Sequence, residues 1–249
     1  MVVPVYNSED QLGALVAALA ETLEHAVRSH ADEEIEVVLV NDGSSDASWQ
    51  QIITLGERHG WIRGLDLADN VGQHAALIAG ASVASGGVIV TMDDDLQHPP
   101  AKIRCLVAEL RYQASMSGGE VGLIYGTPLS RGPLGFRRAG SFLARLGLAC
   151  RLRSLVALRS SAFRAFDARH VTALSEFDQR SINLDAALAA LGVRASYVLT
   201  AHGASLRSSS RYGIRSLIRA AGAVFKGPRE GRLPRECHRN SRSDDAVTD

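Results

Sequence analysis

The chain has 249 residues, enough for one α/β domain with a sizeable core or at most two small domains. Its 46% hydrophobic and 22% charged residues are ordinary for a soluble globular protein. A formal net charge of zero and 5% aromatic residues give no footprint of nucleic-acid binding.

In chain order, Val2 to Val5 reads as a buried strand already in progress at the start of the sequence, so a shortened first strand is expected. Asp10 to Arg28 follows with Leu12, Leu15, Val16, Leu19 and Leu23 at helical spacing. Ile35 to Val40 is a nearly continuous apolar strand. Asp46 to His59 is a helix opened by a cap in Ser44-Ser45-Asp46. Gly64 to Leu67 is a short strand, Gly72 to Ala84 an alanine-rich helix, and Val88 to Met92 a strand that ends in acid. Pro99 to Gln113 is a helix with its prolines in the first turn, where the missing N–H costs nothing. Val121 to Tyr125 is another strand. The second half is less regular, with helices at Leu134 to Leu152 and Leu184 to Leu191 and strands at Leu155 to Leu158 and Ala195 to Leu199. Ile214 to Phe225 is an amphipathic helix, and residues 227–249 turn polar and read as a disordered tail.

Alternation of strand and helix predicts an α/β fold, with a mostly parallel central sheet covered by helices on both faces. Ligands of such sheets bind beyond the carboxyl ends of the strands. The residues suited to chemistry stand there: Tyr6-Asn7, Asn41-Asp42-Gly43-Ser44, and Asp93-Asp94-Asp95-Leu96-Gln97. Three adjacent carboxylates repel one another, and a divalent cation removes the conflict. Mg²⁺ and Mn²⁺ take oxygen ligands and are often shared between carboxylates and a substrate's phosphates. In an extended loop Asp93, Asp95 and Gln97 would point one way and Asp94 the other. The same run would also serve as an exposed acidic turn. Asp42-Gly43-Ser44 suits a base or ribose, and equally an ordinary turn and helix cap. Asp69-Asn70-Val71-Gly72-Gln73-His74-Ala75-Ala76 reads as a tight turn into a small-residue helix, with His74 a packing or hydrogen-bonding residue rather than a base.

The four motifs Val-Pro-Val-Tyr-Asn, Val-Asn-Asp-Gly-Ser-Ser-Asp, Asn-Val-Gly-Gln-His-Ala-Ala-Leu and Asp-Asp-Asp-Leu-Gln-His-Pro-Pro occur in that order. Together they resemble a family 2 glycosyltransferase of the GT-A, Rossmann-like fold. The branch most similar holds dolichol-phosphate mannosyltransferase and the undecaprenyl-phosphate sugar transferases. The resemblance implies a GT-A domain over residues 1–226, divided into a nucleotide-sugar and metal half, 1–126, and an acceptor half, 127–226. It implies that Pro4, Val5 and Tyr6 flank the base of a nucleotide-sugar donor, that Asp42 hydrogen-bonds that base, and that Asp93 and Asp94 belong to the donor site. Asp93, Asp95 and Gln97 would hold Mg²⁺ or Mn²⁺. Arg131, Arg164 and Arg211 would bind an acceptor phosphate, with Asp93, Asp95 and Arg164 as the catalytic set. Asn41 stands where the family usually has Asp, and Ser160 or Ser161 replaces a common Asp-x-Gly.

The function implied is inverting transfer of a sugar to a polyprenyl phosphate, in cell-envelope glycan synthesis. Such an acceptor is already an anionic nucleophile and needs no base. Eight arginines and no acid between Thr127 and Phe166 suit it. Transfer to a sugar hydroxyl would need a base, for which Asp94, Glu176, Asp178 and Asp185 are candidates. A third reading is a non-catalytic nucleotide-sugar-binding scaffold. Cys105, Cys150 and Cys237 form no metal or disulfide pattern, and a reducing cytoplasm is the simplest expectation. No run reaches the roughly 20 apolar residues that span a bilayer. Ile214 to Phe225 is a candidate for seating the protein peripherally on the inner face of the cytoplasmic membrane.

Overall fold

The computed structural model describes residues 1–29, 35–128, 160–177 and 183–200. They form a seven-stranded sheet in the order β3-β2-β1-β4-β6-β5-β7. The strands are β1 (Val2–Val5), β2 (Val37–Asp42), β3 (Ile62–Leu67), β4 (Val88–Thr91), β5 (Val121–Pro128), β6 (Arg164–Asp167) and β7 (Arg194–Thr200). All neighbours are parallel except β6, which runs antiparallel to both β4 and β5. The helices are α1 (Glu9–Ser29), α2 (Ser48–Arg58), α3 (Gln73–Val83), α4 (Ile103–Met116), α5 (Val171–Ser175) and α6 (Leu184–Ala190).

Each strand contributes alternate residues to two cores, as its pleat requires. On one face Val3, Val5, Val37, Leu39, Val90, Ile124 and Ala165 pack with Leu12, Leu15 and Leu19 of α1, Ile52 of α2 and Leu106 of α4. On the other, Val2, Val38, Val40, Leu65, Ile89, Leu123 and Phe166 pack with Leu77 and Ile78 of α3 and Leu184 and Leu188 of α6. The fold class read from the sequence is therefore the one observed. Helix α3 lies close to the sheet: a Cβ on Gly80 would come within 2.4 Å of the Val2 side chain.

Local bounds differ from those expected at several elements. Strand β2 runs on through Asn41 and Asp42, because both pair with β3 at Asp66 and Leu67. Helix α2 begins at Ser48 rather than Asp46, with no side-chain cap at Ala47. Asp46 is instead drawn to the N–H groups of Glu9 and Ser48. The helix expected from Pro99 opens as a 3₁₀ turn, Pro100–Lys102, and continues to Met116. Strand β6 had no counterpart in the expected elements. The expected boundary between residues 126 and 127 falls inside β5. The expected elements at Leu134 to Leu152, Leu155 to Leu158 and Ile214 to Phe225, and the tail 227–249, lie outside the described residues.

Candidate active site

The loops after β1, β2 and β4 are joined by direct hydrogen bonds at one edge of the sheet. Asn7 takes a left-handed conformation, φ 49°, which asparagine tolerates better than most residues. Its N–H donates to Ser44 Oγ at 3.0 Å, and its Oδ1 accepts from the Ser45 N–H at 2.8 Å. Ser8 donates its hydroxyl to Asp94 Oδ2 and its N–H to Ser48 Oγ.

The acidic run follows β4 directly. The expected alternation of its side chains does not extend through it. Leu96 has φ 57°, and Asp95 Oδ1 accepts from the Gln97 N–H at 3.1 Å, so the chain turns sharply there. Asp94 is nonetheless set apart from its neighbours, buried at 4% exposure on the Ser8 hydroxyl. Asp93, Asp95 and Gln97 remain partly exposed. Gln73 Nε2 donates to Asp93 Oδ1 at 2.5 Å. Beyond the run, His98 stacks on Phe163, with ring centroids 5.3 Å apart.

Among the described residues, no three His, Cys, Asp or Glu side chains gather as a metal-binding group. The partly exposed residues of the run offer two carboxylates and the side-chain amide of Gln97. That hard-oxygen set fits Mg²⁺ or Mn²⁺, which are held by one or two carboxylates and complete their shell with substrate phosphates and water.

Of the other expected donor-site residues, Pro4, Val5 and Asp42 sit deeper. Pro4 and Val5 are buried within β1, and Tyr6 is partly exposed at its end. Asp42 is fully buried, with Oδ1 accepting from Val71 N–H at 2.7 Å and Oδ2 from Gly72 N–H at 3.1 Å. Burial pushes its carboxyl pKa up, against the pull of those two N–H groups. This contact requires Gly43: its φ is +62°, and a Cβ there would meet Asn70 N at 2.5 Å. The Asn41 Nδ2 donates to Asp66 Oδ1 at 2.6 Å, where an aspartate would set two carboxylates against each other.

Arg164 pairs across β4 with Thr91, beside the start of the acidic run. It is 2% exposed, and its Nη1 donates to Asp185 Oδ1, which also accepts the Tyr125 hydroxyl at 2.9 Å. Among the described residues its Nε–H has no partner. A direct contact with an acceptor phosphate would require this pair to open. Burial and the Asp185 carboxylate hold the Tyr125 phenol protonated. His74 lies close by, between Asn183 Nδ2 at 2.9 Å from Nε2 and the Leu184 N–H at 3.4 Å from Nδ1. Both neighbours are donors, so a neutral ring, which keeps one N–H, accepts from only one of them, and a doubly protonated ring accepts from neither. Burial first, and the Arg164 charge second, lower its pKa to about 4. His74 is thus a neutral structural acceptor, not a base. Arg131, Arg211 and Asp178 lie outside the described residues.

Four contributors were not anticipated. Gln73 lies inside a motif that was singled out, but its carboxylate partner comes from another loop. Ser8, Tyr125 and Asn183 carried no local signal, since each acts through a residue distant in sequence.

Residues 1–167 match the family Glycosyl transferase family 2. An uncharacterized glycosyltransferase of Synechocystis sp. is 30% identical over 202 residues, which are 80% of this chain and 59% of that protein. The undecaprenyl-phosphate 4-deoxy-4-formamido-L-arabinose transferase of Aeromonas hydrophila is 38% identical over 122 residues, 49% of this chain and 34% of its own length. The chain thus spans less than two thirds of either relative. Among solved structures, a mycobacterial protein superposes with a TM-score of 0.58 at 16% identity, covering 88% of this chain and 69% of that one. S. aureus TarS, residues 1–349, does so with a TM-score of 0.52 at 20% identity, covering 81% and 58%. At such identities the likeness speaks to the fold, which is GT-A. With its motifs joined at one sheet edge and two thirds of its length matched, the chain belongs to glycosyl transferase family 2.

Proposed function

We propose that this chain is the catalytic core of a metal-dependent, inverting glycosyltransferase that moves a sugar from a nucleotide-sugar donor to a polyprenyl phosphate. The observation that carries the reading is the treatment of the acidic run: Asp94 is withdrawn onto Ser8, while Asp93 and Asp95 stay at the edge where the β1 and β2 loops meet. When bound there, Mg²⁺ or Mn²⁺ supplies Lewis-acid stabilisation to the charge that builds on the departing nucleoside diphosphate.

The chain's own residues do the rest. Tyr6 lines the donor edge beside the β1 and β2 loops. Asp42 holds the Val71–Gly72 turn and so shapes the base side of the cleft from beneath. Asp93 and Asp95, with Gln97, would hold the cation at the donor edge. Arg164, neutralised by Asp185, supports the floor of the site, and Arg131 and Arg211 are proposed to bind the acceptor phosphate.

A phosphate acceptor is already charged and attacks the anomeric carbon in a single displacement, without a general base. The state of the three candidate bases among the described residues supports this acceptor over a hydroxyl: Asp94 and Asp185 are buried in internal hydrogen bonds, and Glu176 lies exposed beyond α5. The name of the Aeromonas relative points to the same acceptor class. A peripheral seat on the cytoplasmic membrane follows from that acceptor; among the described residues, no helix is long and apolar enough to cross a bilayer.

The test is transfer by the purified chain from a panel of UDP-, GDP- and dTDP-sugars to undecaprenyl phosphate in detergent, with Mn²⁺ or Mg²⁺. Lipid-linked product that vanishes in Asp95→Ala supports the proposal. Metal-dependent donor binding with product only on a sugar hydroxyl would replace the acceptor, and no donor binding at all would favour the scaffold.

A further inference from the structure

We propose that Gln73 is the positioning residue of Asp93, and that the turn Val71–His74 exists to hold its amide in place. The inference rests on the metal reading above. Four consecutive residues of this turn are tied to three different elements. The N–H groups of Val71 and Gly72 are held by the Asp42 carboxylate at the end of β2. Gln73 donates to Asp93 Oδ1. The His74 ring lies between Asn183 Nδ2 and the Leu184 N–H at the start of α6 and accepts from one of them. Asn183 is itself fixed, since its Oδ1 accepts the Asp185 N–H at 2.8 Å and caps the helix. The Gln73 backbone therefore has an anchor on either side, and helix α3 behind it is pressed against the sheet.

The chemistry explains why a glutamine stands there. A carboxylate that ligates a cation through one oxygen is oriented by a neutral donor on the other. An amide does this without adding charge to a crowded acidic run. Each aspartate of the run receives its own donor: Asp93 the Gln73 amide, Asp94 the Ser8 hydroxyl, Asp95 the Gln97 N–H. Donors to ligating carboxylates are worth roughly 10- to 100-fold in metal affinity. Asp42, His74 and Asn183 act on the cation only through the position of Gln73.

The experiment is direct Mn²⁺ binding to the full chain, followed by the loss of the free-ion electron paramagnetic resonance signal, together with a thermal melt. Gln73→Met keeps the length of the side chain and removes the donor. Gln73→Ser, well suited to a helix start, is polar but too short to reach Asp93. Both are expected to raise the Mn²⁺ dissociation constant about 10- to 100-fold with the melting temperature held within a few degrees. Equal affinity in wild type and both folded variants would overturn the proposal. So would a loss that tracks a fall in melting temperature across the two. Absence of Mn²⁺ binding in wild type, or unchanged binding in Asp95→Ala, would instead refute the metal reading itself.

Discussion

Replacing Asp185 by asparagine should be costly, and a second replacement should relieve most of the cost. Arg164 is 2% exposed, and its guanidinium has Asp185 as its ion-pair partner in the sheet interior. Asp185→Asn keeps an oxygen for the Tyr125 hydroxyl but leaves the guanidinium charge without compensation. Breaking a buried pair from one side costs about 3–5 kcal/mol. A domain stabilised by about 5–15 kcal/mol would keep its fold with a much reduced margin. Arg164→Met in the same chain removes the uncompensated charge. The double variant should therefore recover about 2–3 kcal/mol over Asp185→Asn, because a buried pair replaced as a unit is nearly neutral. Urea denaturation followed by circular dichroism, for wild type, both single variants and the double, closes the cycle. A cost below about 1 kcal/mol for Asp185→Asn, or additive costs in the double, would refute the reasoning.

Three further outcomes follow from the geometry. His74 has a folded-state pKa of about 4 against an ordinary 6.5, so the unfolded chain takes up a proton first as the pH falls. Stability attributable to this ring is thus complete above about pH 6.5 and lost on descending towards 4, by about 1 kcal/mol at pH 5.5. Asp42, with its raised pKa, acts in the opposite sense, so the measurement is the difference in urea midpoint between wild type and His74→Gln, and a parallel pH dependence in the two would count against the assignment. Asn41→Asp sets a second carboxylate against Asp66 and should destabilise by about 1 kcal/mol at pH 7.5, with relief on acidification; a pH-independent effect would contradict it. Gly126→Ala drives a Cβ to 2.4 Å from the Phe163 ring, which stacks on His98. It should cost about 1–3 kcal/mol and weaken metal-dependent nucleotide binding as well, as melting and calorimetry would show.

What the sequence disclosed, and what it did not, divides along physical lines. Helix α1 was legible from Leu12, Leu15, Val16, Leu19 and Leu23 alone, because a 3.6-residue period is a local signal. The parallel core strands were legible as apolar runs for the same reason. Strand β6 was not. Its four residues begin with a buried arginine, and only pairing with β4 and β5 makes them a strand. The carboxylates of the site were visible, whereas their partners were not. Nothing near Asp93 names Gln73, and nothing near Asp94 names Ser8. The turn at Leu96 also escaped, since no glycine marks its left-handed residue. Asp42 shows the converse. Its motif was conspicuous, but the buried contacts with Val71 and Gly72 depend on the close approach at Gly43.

Asp93 and Asp95 are proposed to hold a divalent cation against a nucleoside diphosphate. Titration calorimetry of UDP and GDP into the purified chain, with and without Mn²⁺, tests it most directly when run beside Asp95→Ala. One of these nucleotides should bind at least 10-fold more tightly with Mn²⁺ in wild type, with that gain abolished in the variant. Nucleotide binding indifferent to Mn²⁺, or a gain that survives in Asp95→Ala, would contradict it.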